Sequence, residues 1–286
     1  MYDSERCSAD RLEPSQPMSS QINLLLHMKP PATLIGSTLT VLPVVDSTQN
    51  VAREAALRGQ PEGLAVVAGQ QTAGKGRLGR EWWSPAEGGL YVSLLLRPRI
   101  TPDRLGWLTM VVSLGTAEAI EAVCGVSPDL KWPNDLTWRG RKLAGVLAEA
   151  SFADGQVSYV IAGIGLNLQM DFALRPDLAQ RAVSLREITG RPVPIEPLLQ
   201  ALLARIEAHY LALHDGVSPQ PLWAARLRNL GQTVSVTTSE GKTLVGVAEG
   251  VEEDGRLVLR LADNSMLVLS AGDVTLGSSL LPEVAA

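Results

Sequence analysis

From Val41 to Leu213, short apolar runs of strand type alternate with segments of helical period, and from Thr233 to Leu269 the helical segments stop and only short strands remain. This change of texture limits the fold more than any other feature. Strands interleaved with helices call for a sheet covered by helices, while closely spaced strands broken by Ser-Glu-Gly, Glu-Asp-Gly and Asp-Asn turns call for a small all-β unit. In the first stretch, strands are expected at Val41–Val45, Leu64–Ala68, Leu90–Leu96, Leu130–Arg139, Lys142–Ala150 and Gln156–Leu168. Helices are expected at Gln49–Arg58, closed by Gly59, at Pro102–Val123 and at Glu196–Leu213, with Asp46, Ser47 and Thr48 capping the first. The second stretch offers Thr233–Val236, Thr243–Val247, Leu257–Leu261 and Met266–Leu269. The resulting division is a polar, Ser- and Pro-containing, poorly ordered extension at 1–40, a main α/β (α+β) unit at 41–228 and a β unit at 229–286.

Composition removes several function classes. With 45% apolar and 19% charged residues in 286, the chain is not a disordered one. Thirty acidic residues against 25 basic ones give a net charge of -5, which argues against a protein that coats nucleic acid. Cys7 and Cys124 are too few for a disulfide framework and suit a reducing compartment. His27, His209 and His214 carry no Cys or carboxylate motif around them, so His-based triads and zinc hydrolases are not expected. The longest apolar candidate, Gly106–Val123, is interrupted by Thr109, Ser113, Thr116, Glu118 and Glu121, and acidic Asp3, Glu5, Asp10 and Glu13 replace the basic start of a signal peptide. The expectation is a cytoplasmic protein without a membrane span.

Three glycines and three cations interleave in one segment: Gly74, Lys75, Gly76, Arg77, Gly79 and Arg80, shortly before Trp82. Two nucleotide-binding patterns match it literally and both fail on context. Gly74, Gly76 and Gly79 have dinucleotide-fingerprint spacing, but the following Arg80 to Pro85 is a poor helix start. Gly69 to Lys75 fits most of a P-loop, but Gly76 stands where a magnesium-binding Ser or Thr is required. What remains is a flexible, cationic loop suited to a phosphate or carboxylate, or else a solvated surface turn. A second cluster, Lys131, Asn134 and Asp135 with Lys142 on the next strand, suits an anion with its metal counter-ion, or else is a surface ion pair.

Taken in order, Asp46 to Thr48, Gln70 to Arg80 with Trp82, Lys131 to Asp135, Arg141 to Gly145 and Gly163 to Asn167 resemble the biotin protein ligases. The resemblance covers Val41 to the C-terminus, and its specificity lies in the combination of the glycine loop with Lys131–Asp135. It implies a catalytic domain at 41–228, an SH3-like barrel at 229–286, biotin and ATP as substrates, Mg2+ as cofactor and a biotinyl-5'-adenylate intermediate. The acceptor is a lysine of a biotin carboxyl carrier domain, such as that of acetyl-CoA carboxylase. By similarity, Ser47, Thr48, Gln49 and Gln71 hold biotin, while Gly74, Lys75, Gly76, Arg77 and Arg80 fold over biotin and the adenylate. Arg77 and Lys142 act at the reacting groups, Asn134 and Asp135 help hold the metal or orient the phosphates, with Asp135 as the metal ligand, Asn167 contacts the adenosine side, Trp82 walls the nucleotide pocket, and Lys131 and Gly145 belong to the same ligand-binding set. Lys75 stands where the family commonly has Arg, and a lysine cannot form the bidentate fork. Homodimers are frequent in the family, and some members carry an N-terminal winged helix and act as repressors. The 40-residue acidic and Pro-containing extension does not suit that fold, so no sequence-specific DNA binding is expected. A lipoate ligase and a non-catalytic biotin-binding regulator remain the rival readings.

Overall fold

In the computed structural model, residues 20–26, 28, 33–238 and 240–276 are described. The expected extension differs from residue 20 on. Helix α1 (Ser20–Leu26) places Ile22 and Leu25 in the main core. The Glu207 carboxylate accepts from the backbone N–H groups of Thr33, Leu34 and Ile35, at 3.2, 2.7 and 2.6 Å. The apolar patch there is a docking face whose partner lies far away in sequence. Residues 1–19, with Cys7, and His27 lie outside the described residues.

The main sheet begins with β1 (Thr38–Val45), α2 (Thr48–Leu57) and β2 (Leu64–Gln71), then β3 (Gly89–Leu96). After α3 (Gly106–Cys124) come β4 (Asp129–Lys131), β5 (Asp135–Trp138), β6 (Arg141–Ala153) and β7 (Gln156–Asn167). The strand order is β1-β2-β3-β7-β6-β5-β4, with β1 and β2 parallel and the other pairs antiparallel, so the sheet is mixed as expected. The parallel pair needs a crossover, which α2 supplies.

Period-two alternation divides the strands between two faces. On β3, Leu90, Val92, Leu94 and Leu96 join the main core, as do Val160, Ala162, Ile164 and Leu166 on β7. This face is covered by α3 and by the long helix that follows two short ones, α4 (Pro176–Ala179) and α5 (Leu185–Thr189), namely α6 (Ile195–His214). The two long helices approach closely at Gly115, where a Cβ would lie 2.8 Å from the Ile206 backbone nitrogen. Although α3 has the length and hydropathy of a membrane span, it is mostly buried inside the protein. On the opposite face, α2 covers only one end through Ala52 and Ala56 against Val66, Leu95 and Ile161. The middle of that face stays uncovered by helix.

After α7 (Gln220–Ala225), strands β8 (Thr233–Thr237), β9 (Thr243–Val251), β10 (Leu257–Arg260), β11 (Met266–Leu269) and β12 (Asp273–Leu276) form an antiparallel sheet ordered β11-β10-β9-β8-β12. Its inward residues Val234, Val236, Ala248, Leu257, Leu259 and Val274 are buried. The last strand has no counterpart among the sequence expectations, and its pairing with β8 aligns Asp273 with Thr237. One turn of this unit is fastened to the main unit by two indoles, since Trp107 Nε1 donates to Glu253 O and Trp132 Nε1 to Gly255 O, both at 2.8 Å.

Candidate active site

The uncovered sheet face has a floor of glycine. Gly145 pairs with Gly165 across β6 and β7, and Gly163 pairs with Leu147 and with Ser93 on β3. Side chains lie directly against these bare positions. A Cβ at Gly165 would sit 2.3 Å from Trp82 Cε2, one at Gly163 2.6 Å from Gln49 Nε2, and one at Gly145 3.1 Å from the Trp82 ring. The floor thus lets Gln49 and Trp82 lie close to the backbone, and a cavity of about 740 Å³ opens above it. That volume is in the range of sites for sizeable small molecules. Gly163 and Gly165 belong to the Gly163–Asn167 motif, yet their role depends on register, which sequence spacing does not supply.

At one end of the cavity stands the N-terminus of α2. Ser47 occupies the N-cap position with extended backbone, φ -156° and ψ 136°, but its hydroxyl caps nothing. Instead Gln71 Oε1 accepts from the Thr48 backbone N–H at 2.8 Å and from Thr48 Oγ1 at 3.1 Å, while Gln71 Nε2 donates to Ser84 Oγ at 2.9 Å. Capping has passed from the expected residue to one on β2. Ser47 Oγ and Gln49 Oε1 are left buried without a hydrogen-bond partner, although Gln49 Nε2 donates to Leu147 O at 3.0 Å. A buried donor and acceptor without partners are costly, and both residues line the cavity, so a ligand with complementary polar edges would satisfy them.

The glycine loop is a hairpin-like excursion, not the start of a helix. Gln71 bridges Ser84, Lys75 bridges Glu81, and the Trp82 N–H donates to Gly74 O at 2.8 Å. Gly74 is required because a Cβ would lie 2.3 Å from Trp82 O. The tip turns through Leu78 at φ 57° and Gly79 at φ 72°, a left-handed pair that holds the exposed leucine in a sparsely populated conformation. The three cations diverge. Lys75 Nζ donates back to Asn50 Oδ1 at 2.5 Å, Arg77 Nη1 donates across to Asn134 Oδ1 at 3.2 Å, and Arg80 pairs with Asp273 of β12 at 2.6 Å. Burial pulls the Arg77 pKa downward against the opposing charges of Asp273 and Asp135, and the guanidinium stays cationic at neutral pH.

The second cluster converges across the β5–β6 hairpin. Lys142 Nζ lies 2.7 Å from Asp135 Oδ1 and 5.2 Å from the Trp82 ring centroid. Lys131 is paired in register with Asp135, and burial lowers its pKa despite that carboxylate. Asn134 is held on both sides: Nδ2 donates to Val146 O at 2.6 Å, so Oδ1 faces Arg77. Asn167 Nδ2 donates to Lys142 O and Val183 O, at 3.2 and 3.1 Å, and thereby fixes the start of β6. In all, seven Lys and Arg residues line the cavity against three Asp and Glu, in a chain whose net charge is -5. The arrangement is an anion site.

Every residue expected at the site lines or adjoins this cavity. Several other contributors carried no sequence signal. Trp83, Met170, Phe172, Leu178 and Ala182 form an apolar wall beside Trp82, suited to a flat ring. Arg181, Arg228, Asn229, Asp273 and Thr275 also line it, four of them from the domain junction and the β unit.

Residues 41–167 match the model of the biotin/lipoate A/B protein ligase family, and residues 230–277 match the biotin protein ligase C-terminal domain. The bifunctional ligase/repressor BirA of Bacillus subtilis (strain 168) is 34% identical over 247 residues, which cover 85% of this chain and 75% of that protein. This chain belongs to the biotin protein ligase family. Another relative in the family, the biotin–[acetyl-CoA-carboxylase] ligase of Mycobacterium tuberculosis, is 33% identical over 74% of this chain and 79% of its own length. The biotin protein ligase of Aquifex aeolicus, solved in complex with biotin and ATP, superposes with a TM-score of 0.72 at 31% identity, over 84% of this chain and 98% of that one.

Proposed function

We propose that this protein is an ATP-dependent biotin protein ligase, which joins biotin to ATP as biotinyl-5'-adenylate and then passes biotin to a lysine of a carrier-type acceptor protein. The observation that carries this reading is the sequence of chemistries along one sheet face: unpartnered Ser47 Oγ and Gln49 Oε1 at one end, a glycine floor, and the Lys142, Arg77 and Lys131 cations beyond it. A cyclic urea offers the acceptor and donor edges that Ser47 and Gln49 lack, and the floor admits a fused ring. The acid's carboxylate then lies toward Lys142.

Attack of that carboxylate oxygen on the α-phosphorus forms a carboxyl–phosphate anhydride and expels pyrophosphate. No enzyme nucleophile is needed; the requirement is alignment and charge neutralisation. Lys142, held by Asp135 and the Trp82 face, stands between the two anions, and Arg77 offsets charge on the phosphates. A flat adenine fits the wall of Phe172, Met170 and Ala182. In the second step the acceptor amine attacks the anhydride carbonyl, AMP leaves, and the amine proton passes to solvent. Closure of the glycine loop shields the anhydride from water until the acceptor docks.

Among the described residues no group of three or more His, Cys, Asp or Glu could hold a metal. Asp135, which lines the cavity beside Lys142, would hold Mg2+ as a nucleotide-bound ion, since Mg2+ commonly takes one or two carboxylates plus substrate phosphates. Such an ion would neutralise phosphate charge. The finer partner is a biotin carboxyl carrier domain of acetyl-CoA carboxylase or a similar carboxylase, in the cytoplasm, without sequence-specific DNA binding.

The deciding experiment incubates the protein with ATP, Mg2+, a purified carrier domain and either biotin or lipoate, followed by mass spectrometry of the carrier. One biotin on one lysine is expected. Lipoate transfer, or no modification, would overturn the reading.

A further inference from the structure

Asn229 is fully buried at the junction between the main and β units. Its segment runs beside β4: Leu227 bridges Leu130, and the Arg228 N–H donates to Leu130 O at 2.9 Å. The side chain is oriented by the Trp132 backbone N–H, which donates to Oδ1 at 3.0 Å, so the amide nitrogen faces the other way. That Nδ2 is buried and has no hydrogen-bond partner. An unsatisfied buried amide donor is costly, so a ligand acceptor at this place would be favoured. It lines the same cavity as Ser47, Gln49 and Trp82, whose Oγ, Oε1 and Nε1 are likewise buried without a hydrogen-bond partner.

The strand order gives Asn229 a place in the reaction. Ser47, Gln71 and Ser93 stand at the β1–β3 side, Gly163, Gly165 and Gly145 in the middle on β7 and β6, Lys142 and Asp135 on β6 and β5, and Lys131 with Asn229 at β4 and beyond. In phosphoryl transfer the attacking and leaving oxygens are roughly in line with phosphorus. With the acid entering from the Ser47 side and Lys142 at the reacting groups, the leaving group departs toward β4. There the lining is Lys131, Arg228 and a donor-only amide, which matches acceptor-only phosphate oxygens. The apolar wall that suits adenine branches off elsewhere, at the Ala182 segment bridged to Lys142.

We propose that Asn229 is a substrate-contacting residue, whose Nδ2 donates to the β,γ-phosphates of ATP and to the pyrophosphate they become, while Oδ1 holds Trp132. The proposal rests on the adenylation reading above. It also gives the β unit a chemical use, because Trp132 is fixed at its indole by Gly255 and at its backbone by Asn229.

Two variants separate the donor from the clamp. Asn229→Asp keeps an acceptor for the Trp132 N–H and removes the donor; Asn229→Leu removes both without adding charge. In the full-length protein, biotin affinity is measured by calorimetry, and inhibition by inorganic pyrophosphate and by AMP is measured on adenylation. Both variants are expected to raise the KM for ATP and the pyrophosphate inhibition constant about tenfold or more, the loss of one hydrogen bond to a charged group, with biotin and AMP affinities within twofold of wild type. Asp behaving as wild type makes Asn229 a clamp only and overturns the proposal. Leu behaving as wild type, with Asp alone impaired, reduces the effect to charge repulsion and overturns it as well. Equal losses for biotin and pyrophosphate mean general disruption of the site and likewise overturn it. If the wild type itself releases no pyrophosphate with biotin, the adenylation reading fails instead.

Discussion

Replacing Lys142 with methionine separates what this residue does for the fold from what it does for the chemistry. Its ammonium is 2.7 Å from Asp135 Oδ1, with the side chains 36% and 19% exposed. An ion pair with that much solvent contact contributes about 0–1 kcal/mol, and contact with the Trp82 face adds about 0.5–1 kcal/mol. Leaving the half-buried Asp135 carboxylate without its cation costs a further fraction of the same order. Lys142→Met should therefore destabilise the protein by about 2 kcal/mol, read as a fall in urea midpoint with unchanged slope. The chemical effect should be larger. An ammonium between a carboxylate and an α-phosphate resembles an oxyanion-hole donor, whose loss costs about 2.7–4 kcal/mol, or roughly 10²–10³-fold in rate. The assay is single-turnover formation of biotinyl-adenylate by rapid quench at saturating ATP and biotin. Adding Asp135→Asn to Lys142→Met removes the stranded charge, so the double variant should regain stability and stay slow. Adenylation by Lys142→Met within threefold of wild type would refute the placement of Lys142 at the reacting groups.

Arg77→Ala should slow adenylation about a hundredfold, the size of one lost donor, and release free biotinyl-adenylate into solution, detectable by chromatography. Gly165→Val places its Cβ 2.3 Å from Trp82 Cε2; it should cost about 1–3 kcal/mol by overpacking and weaken biotin binding at least tenfold by calorimetry. For Glu207, burial raises the carboxyl pKa, but bonds from the Leu34, Ile35 and Thr33 backbone outweigh it and the net shift is downward. A depressed folded pKa gives stability that is present above the unfolded value near 4.3 and lost as pH falls through the folded one. Wild type should lose its advantage over Glu207→Gln on acidification from about pH 5 to pH 3 in thermal unfolding, whereas parallel curves would contradict the anchoring role.

How much of the molecule was legible in its sequence follows physical lines. Local signals survived: the strand before Asp46, the helix closed by Gly59, and the hairpin joining Asp135 to Lys142 were readable because turn and cap chemistry is set by neighbours in sequence. The cap itself was misplaced, since Gln71 reaches Thr48 from another strand and frees the Ser47 hydroxyl. Helix α1 carries no sequence signal of its own, because Ile22 and Leu25 are buried by elements far along the chain. Strand β12 is four residues long with alternating polarity, too short to rise above the background, yet it delivers Asp273 to Arg80. Asn229 has no motif at all, and only its missing partner marks it.

That one sheet face binds biotin and ATP end to end and joins them is tested most directly by exchange of labelled pyrophosphate into ATP by the purified protein, with and without biotin. Exchange that requires biotin and is not supported by lipoate is the predicted result. Exchange without biotin, or none with it, would contradict this mechanism.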